Sequence, residues 1–259
     1  MFMTSHTTAQ RDRIEVSAAK KLCLTLFLLG AVAALSLLLV PLERLRPPGV
    51  VIGDAEFRLL GLINPMLLLA ALTAAGCFAA KRVGLDAPVI RGLLAQEPVG
   101  PILRRQLAPA VAAGITSALV IVGYAWITAP WFKGASMFDL PMPLLTKLLY
   151  GGAVEELITR WGLMSLFVYG AMRLGLGRSG SAAPFVVGAV LAALLFAAGH
   201  LPMLSVLVAS PSAAMVAAVM IGNFIPGFLF GVLFWKRGLE AAMIGHASAH
   251  AIALVILAA

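Results

Sequence analysis

Two adjacent carboxylates and a guanidinium stand in the stretch Tyr150-Gly-Gly-Ala-Val-Glu155-Glu156-Leu-Ile-Thr-Arg160, inside an otherwise apolar run from Leu144 to Met172. A charge near the centre of a bilayer costs about 2.5–3.5 kcal/mol even on insertion scales, so three of them need partners, water or both. On a helix Glu156 and Arg160 are four apart and share a face, while Glu155 points about 100° away. The spacing predicts a Glu156–Arg160 pair and leaves Glu155 free for chemistry. Three of the four histidines have the same problem of placement. His200 ends Phe196-Ala-Ala-Gly-His200, and His246 and His250 bracket His246-Ala-Ser-Ala-His250, all in apolar segments, whereas His6 lies in a polar one. Each buried polar group must find a partner at membrane depth, and the least costly arrangement gathers them around one hydrated pocket.

Such a pocket has the parts for hydrolysis. A carboxylate can act as general base on water for attack on an amide carbonyl. Imidazoles can orient that water, donate to an oxyanion or bind a metal. His246 and His250 have the i,i+4 spacing that zinc sites use, with Glu155, Glu156 and His200 as further candidate ligands. The same parts serve proton-coupled transporters, and spacing alone leaves that alternative open.

The elements that must position these residues are membrane helices. The chain of 259 residues is 61% hydrophobic and 12% charged, with several apolar runs of about twenty residues, the length that spans ~30 Å of hydrocarbon. The fold class is an all-α, polytopic transmembrane bundle of seven or eight spans. A net charge of +8 does not point to nucleic acid here, because the Lys and Arg lie between apolar runs, as membrane orientation requires. Cys23 and Cys77 have no paired or metal-type spacing and read as packing residues.

Residues 1–21 form a polar cytoplasmic segment, and the first helix is expected over Leu22–Val40, retained because no small-residue cleavage site follows it. Pro47 and Pro48 open a polar connection, and the second helix covers Leu59–Ala80, with Pro65 near its start. Residues 81–106 read as a basic loop broken by Pro88, Pro98 and Pro101, with room for a short interfacial helix. The third helix, Leu107–Thr128, ends near Trp126 and Trp131, aromatic residues suited to a membrane boundary. These helices make an N-terminal unit over residues 22–130, and residues 140–259 make a catalytic core.

In that core Pro141 and Pro143 open a fourth segment of about thirty residues reaching Arg173, long enough to predict a kink or a break near Gly162. A turn over Gly175–Ser181 leads to a fifth helix, Ala183–Leu201. The chain then stays apolar to Trp235, as one broken helix or two short ones interrupted at Ser210-Pro211, and a last helix runs from Leu239 to Ala259. Gly227 and Gly231 read as close helix packing.

With the N-terminus inside and seven spans, the inner side receives Arg11, Arg13, Lys20, Lys21, Lys81, Arg82, Arg91, Arg104, Arg105, Arg173, Arg178, Lys236 and Arg237, thirteen of the nineteen basic residues. The outer side receives five: Arg44, Arg46, Arg58, Lys133 and Lys147. That bias predicts a multi-pass protein of the inner (plasma) membrane with a cytoplasmic N-terminus.

Glu155-Glu156-x-x-x-Arg160, then Phe196-x-x-x-His200, then His246-x-x-x-His250, in that order on three apolar helices, resembles the CPBP intramembrane proteases. This is the CAAX prenyl endopeptidase and bacteriocin-processing family, also called Abi. The resemblance covers roughly residues 140–257. It implies an intramembrane endopeptidase in which Glu155 activates water with help from His200, Glu156 and Arg160 hold the site together, and His246 stabilises the oxyanion. The family usually has Gly directly after the motif arginine, where this chain has Trp161 and then Gly162. Its last motif usually ends in Asn or Asp, where this chain has His250. The expected partners are the lipid bilayer and a membrane-associated protein or peptide substrate. No cofactor is required in this reading, with zinc as the alternative, held by candidates among Glu155, His200, His246 and His250. A non-proteolytic immunity or scaffold role is the third functional class the resemblance allows.

Overall fold

The computed structural model describes residues 3–46, 49–131, 142–177, 180–208 and 210–258, with side chains from Glu15 onward. Every regular element among them is helical, and no strand occurs among the described residues. Helix α1 (Met3–Ala34) continues into 3-10 turns at Leu35–Leu39 and Leu42–Leu45. Helix α2 (Asp54–Val83) ends at Gly84, whose φ of +75° gives the left-handed cap that a glycine supplies without strain. Helix α3 (Pro88–Leu94) is short, and α4 (Gly100–Thr128) starts with Pro101 in its first turn.

The central element, α5, runs without interruption from Leu144 to Arg173. It is α-helical at Leu144–Thr146 and Ser165–Arg173, and widened to π geometry over Lys147–Glu155 and Leu157–Met164. Then come α6 (Ala183–Ala198), the short α7 (Leu201–Leu207), α8 (Ala213–Arg237) and α9 (Leu239–Ala258).

Six stretches are long and apolar enough to cross a membrane: Glu15–Leu39, Asp54–Val83, Gly100–Thr128, Ala183–Leu207, Ala213–Arg237 and Leu239–Ala258. Helix α5 sits among them, packed on α1, α2, α6, α8 and α9. Leu157, Trp161 and Met164 carry its apolar face into a core with Leu26, Leu69, Phe230, Phe234 and Leu239. Leu28, Leu67 and Val255 point outward, as lipid-facing positions do in a membrane bundle.

Several boundaries differ from those expected. The N-terminal segment is helical from Met3, so α1 starts well before Leu22. Pro65 lies inside α2, and Pro109 and Pro226 lie inside α4 and α8. Membrane helices tolerate such prolines because neighbouring groups satisfy the freed carbonyls. The basic loop contracts to residues 84–99 around α3, and Arg104 and Arg105 lie exposed on the first turns of α4. No break occurs at Gly162. Its hydrogen-only side chain lets α5 press against α2, where an added Cβ would come within 2.6 Å of Leu72 Cβ, and the widened turns absorb the extra length.

Cys23 and Cys77 form a disulfide between α1 and α2, with Cα atoms 5.8 Å apart. They are therefore a cross-link rather than independent packing residues. The Pro47-Pro48 connection, Lys133, Pro141 and Arg178, and the side chains of His6, Arg11 and Arg13, lie outside the described residues.

Candidate active site

The glutamate pair sits near the midpoint of α5, where the helix is buried on most of its circumference. Glu156 is fully buried and Arg160 is 1% exposed. Arg160 Nη1 lies 3.0 Å from Glu156 Oε1, the i,i+4 pair the spacing predicts. Its other nitrogen, Nη2, donates to the Gly227 carbonyl of α8 at 2.8 Å, and Nη1 also donates to Thr159 Oγ1. The guanidinium lies over the rings of Phe196 and Phe230, 5.0 and 5.5 Å from their centroids. A buried charge is thus held by a carboxylate, a carbonyl and two aromatic faces.

His246 joins both carboxylates. Its Nδ1 is 2.8 Å from Glu156 Oε1, and its Nε2 is 3.8 Å from Glu155 Oε2. The first is a hydrogen bond; the second is too long for one. The two glutamates differ in access, since the Glu155 side chain keeps 23% of its surface exposed. His246 is itself buried between Phe230, which stacks on it at 4.8 Å, and Phe196, which meets it edge-on at 6.1 Å.

His250 stacks on His246 with ring centroids 4.9 Å apart. Its Nε2 approaches Gly151, where an added Cβ would lie 2.9 Å from it and 3.5 Å from His246 Nε2. A glycine is required there for both rings to occupy this space. His200 stands at the junction of α6 and α7 rather than inside a helix, and its Nδ1 donates to the Phe196 carbonyl at 2.8 Å. Its ring meets Phe196 edge-on at 4.8 Å.

The structure therefore gathers Glu155, Glu156, Arg160, His246 and His250 into one cluster, with His200 attached through Phe196. Four contributors were not singled out as site residues from the sequence: Gly151, Thr159, Phe230 and the Gly227 carbonyl. The double glycine beside the glutamates was the available signal for the first. Trp161, which stands where the family has glycine, donates from Nε1 to the Thr73 carbonyl of α2 at 3.2 Å, so the departure is absorbed at the α2 contact and outside the cluster.

Among the described residues, no three His, Cys, Asp or Glu side chains are disposed to hold a metal ion. Glu156 Oε1 is engaged by Arg160 and His246 Nδ1. Of the candidate zinc ligands Glu156 is thus already committed, and no step below is routed through a metal.

No curated protein and no solved structure matches the chain. A family model does match residues 137–252, an interval that contains all six candidate residues; it describes the type II CAAX prenyl endopeptidases of the Rce1-like kind. Residues 137–252 of this multi-pass helical membrane protein are thus similar to the Rce1-like CAAX endopeptidases of the CPBP family.

Proposed function

We propose that this chain hydrolyses a peptide bond of a membrane-associated protein or peptide with a water activated by Glu155, without a metal. The observation that carries the reading is the asymmetry of the two carboxylates. Glu156 is closed off and committed to Arg160 and His246, while Glu155 stays open beside the same imidazole. A general base must reach its water, and Glu155 is the carboxylate that can. It takes one proton from water as the oxygen attacks the carbonyl carbon, and it returns that proton to the leaving amine. Glu156 and Arg160 frame the site. Lys81 pairs with Glu15 at 3.0 Å, which brings the basic stretches of α1 and α2 to one side and supports a cytoplasmic N-terminus.

The test is Glu155→Gln expressed in the native membrane, with identification of what accumulates uncleaved. The variant is expected to fold and to lose cleavage. Cleavage of the identified substrate by wild-type protein should persist in a strong chelator. Full proteolysis by Glu155→Gln refutes the base assignment. Loss in chelator with recovery on added zinc refutes the metal-free mechanism.

A further inference from the structure

A step of four residues returns to nearly the same face of a helix, so the first half of α5 sorts its side chains into columns. Leu145 and Leu149 are exposed. Thr146 donates to the Ser36 carbonyl at 2.8 Å, and Tyr150, four residues on, packs with Leu37, Val40 and Leu62. Gly152 lies against Ala247 of α9, where an added Cβ would come within 3.0 Å of the Ala247 Cβ. The remaining column is Lys147, Gly151 and Glu155. Gly151 faces the rings of His250 and His246, and the charge of Lys147 acts on the same His250.

Lys147 is half-buried, in the apolar run that also holds the glutamates. No ion pair or hydrogen bond joins it to another described residue. A lysine near a helix start can extend its ammonium towards water, but the outward column of Leu145 and Leu149 would serve that purpose as well. Lys147 stands instead in line with Glu155, and between the two α5 contributes no side chain, because Gly151 is there. Glu155 follows Lys147 by eight positions, a rise of about 12 Å at about 1.5 Å per residue. That is the length of about three to four residues of extended peptide.

We infer that Lys147 is a substrate-binding residue that receives a carboxylate of the peptide, carried about three to four residues from the scissile bond. The carboxylate is the peptide's own C-terminus or an Asp or Glu side chain. This deepens the hydrolytic reading above and rests on it, since that reading places the scissile bond at Glu155. The peptide lies extended past Gly151, with its reacting carbonyl at Glu155 and its anion at the ammonium. An ammonium carries three rotatable donors on a flexible stem, so it accepts a carboxylate from either source without demanding one orientation. Partial burial strengthens such a charged pair relative to one in open water. A neutral amide in the same place leaves the ammonium without its counter-charge.

The test is binding to Glu155→Gln protein in phosphatidylcholine nanodiscs, with fluorescent farnesyl peptides as probes. They are Cys-Val-Ile-Met as the free acid, the same peptide as its C-terminal amide, and Cys-Val-Ile-Glu as the amide. The free acid should bind with a Kd about tenfold or more below that of its amide. Lys147→Met, added to Glu155→Gln, should erase that difference and leave the Kd of the amide within about twofold, which shows that the fold is intact; Lys147→Arg should keep most of the difference. Affinity regained by the glutamate amide assigns an acidic side chain as well as the terminus, and affinity not regained assigns the terminus alone; either result supports the inference. Equal binding of acid and amide leaves Lys147 to lipid phosphates and overturns it, as does a difference that survives in Lys147→Met or binding of none of the three. The hydrolytic reading is tested apart from this, by cleavage of the free acid. An acid bound through Lys147 but cut as fast by Glu155→Gln as by wild type refutes the base assignment and leaves the carboxylate site standing.

Discussion

Arg160→Met is the perturbation whose size follows most directly from the structure. The Arg160 side chain is 1% exposed and Glu156 is 0% exposed, so the pair is wholly removed from water. Methionine keeps much of the length and fills the space between Phe196 and Phe230, so the change removes charge and donors more than volume. Glu156 is left as a buried anion with one hydrogen bond, from His246, and the Gly227 carbonyl loses its donor. Breaking a buried pair from one side costs about 3–5 kcal/mol, which dominates the about 1–3 kcal/mol for the orphaned carbonyl. At about 2–4 °C per kcal/mol for a chain of this size, the midpoint of thermal unfolding should fall by about 6–20 °C. Glu156→Gln with Arg160→Met removes the uncompensated charge and should recover most of that loss, because replacing both partners of a buried pair is often close to neutral. Unfolding in detergent, followed by size-exclusion chromatography with fluorescence detection, compares wild type, the two single variants and the double variant. An Arg160→Met protein within about 2 °C of wild type, or a double variant no better than the single one, refutes the claim that this pair frames the site.

The space over Gly151 yields a second expectation. Gly151→Ala puts a Cβ 2.9 Å from His250 Nε2, strain of about 1–3 kcal/mol, and kcat/KM should fall about tenfold or more if it displaces the ring from the transition state. His250→Asn alone should keep substantial activity, and it should relieve the Gly151→Ala defect because the shorter side chain clears the new methyl; absence of relief in the double variant would place the defect elsewhere. A third expectation concerns acid stability. Glu43, in the connection after α1, receives two hydrogen bonds from Arg58 at 2.7 Å, which hold its carboxyl at about 2, below the usual 4.5. Its folded value is depressed, so its contribution to stability is full above about pH 4.5 and is lost as pH falls towards 2. Glu43→Gln should flatten the unfolding profile across that window and leave it unchanged in shape above pH 5; an identical acid limb in both proteins would contradict the pairing.

The membrane fold was legible in composition and run length, because about twenty apolar residues have few other uses. The site was legible for the same reason in reverse: charges at that depth must find each other, and Glu156, Arg160 and His246 do. What sequence could not give are the quantities that depend on how helices cross. Cys23 and Cys77 are 54 residues apart, and their bond depends on the α1–α2 contact bringing two single positions into register. The proline in α2 read as a start signal because a donor is unneeded there, yet it sits in mid-helix with lipid and protein around it. The break foreseen at Gly162 treated glycine as a weak helix former, whereas here it is the contact point with Leu72. Which His246 nitrogen meets which glutamate was also beyond reach, since it depends on how α9 crosses α5.

That dependence also explains why two glutamates stand side by side. Consecutive residues on a helix point in different directions, so they cannot both line the same small pocket wall. A single imidazole from α9 spans the difference, with one nitrogen on Glu156 and the other towards Glu155. The rings of Phe196 and Phe230 cover Arg160 and His246 alike. Glu156 is fully buried beside that imidazole, while Glu155 keeps 23% of its side-chain surface exposed. The order of access, closed carboxylate, ring, open carboxylate, is therefore built into the packing of α6 and α8 on α5. In the proposed mechanism it assigns water activation to the residue water can reach and leaves its neighbour to hold the ring still.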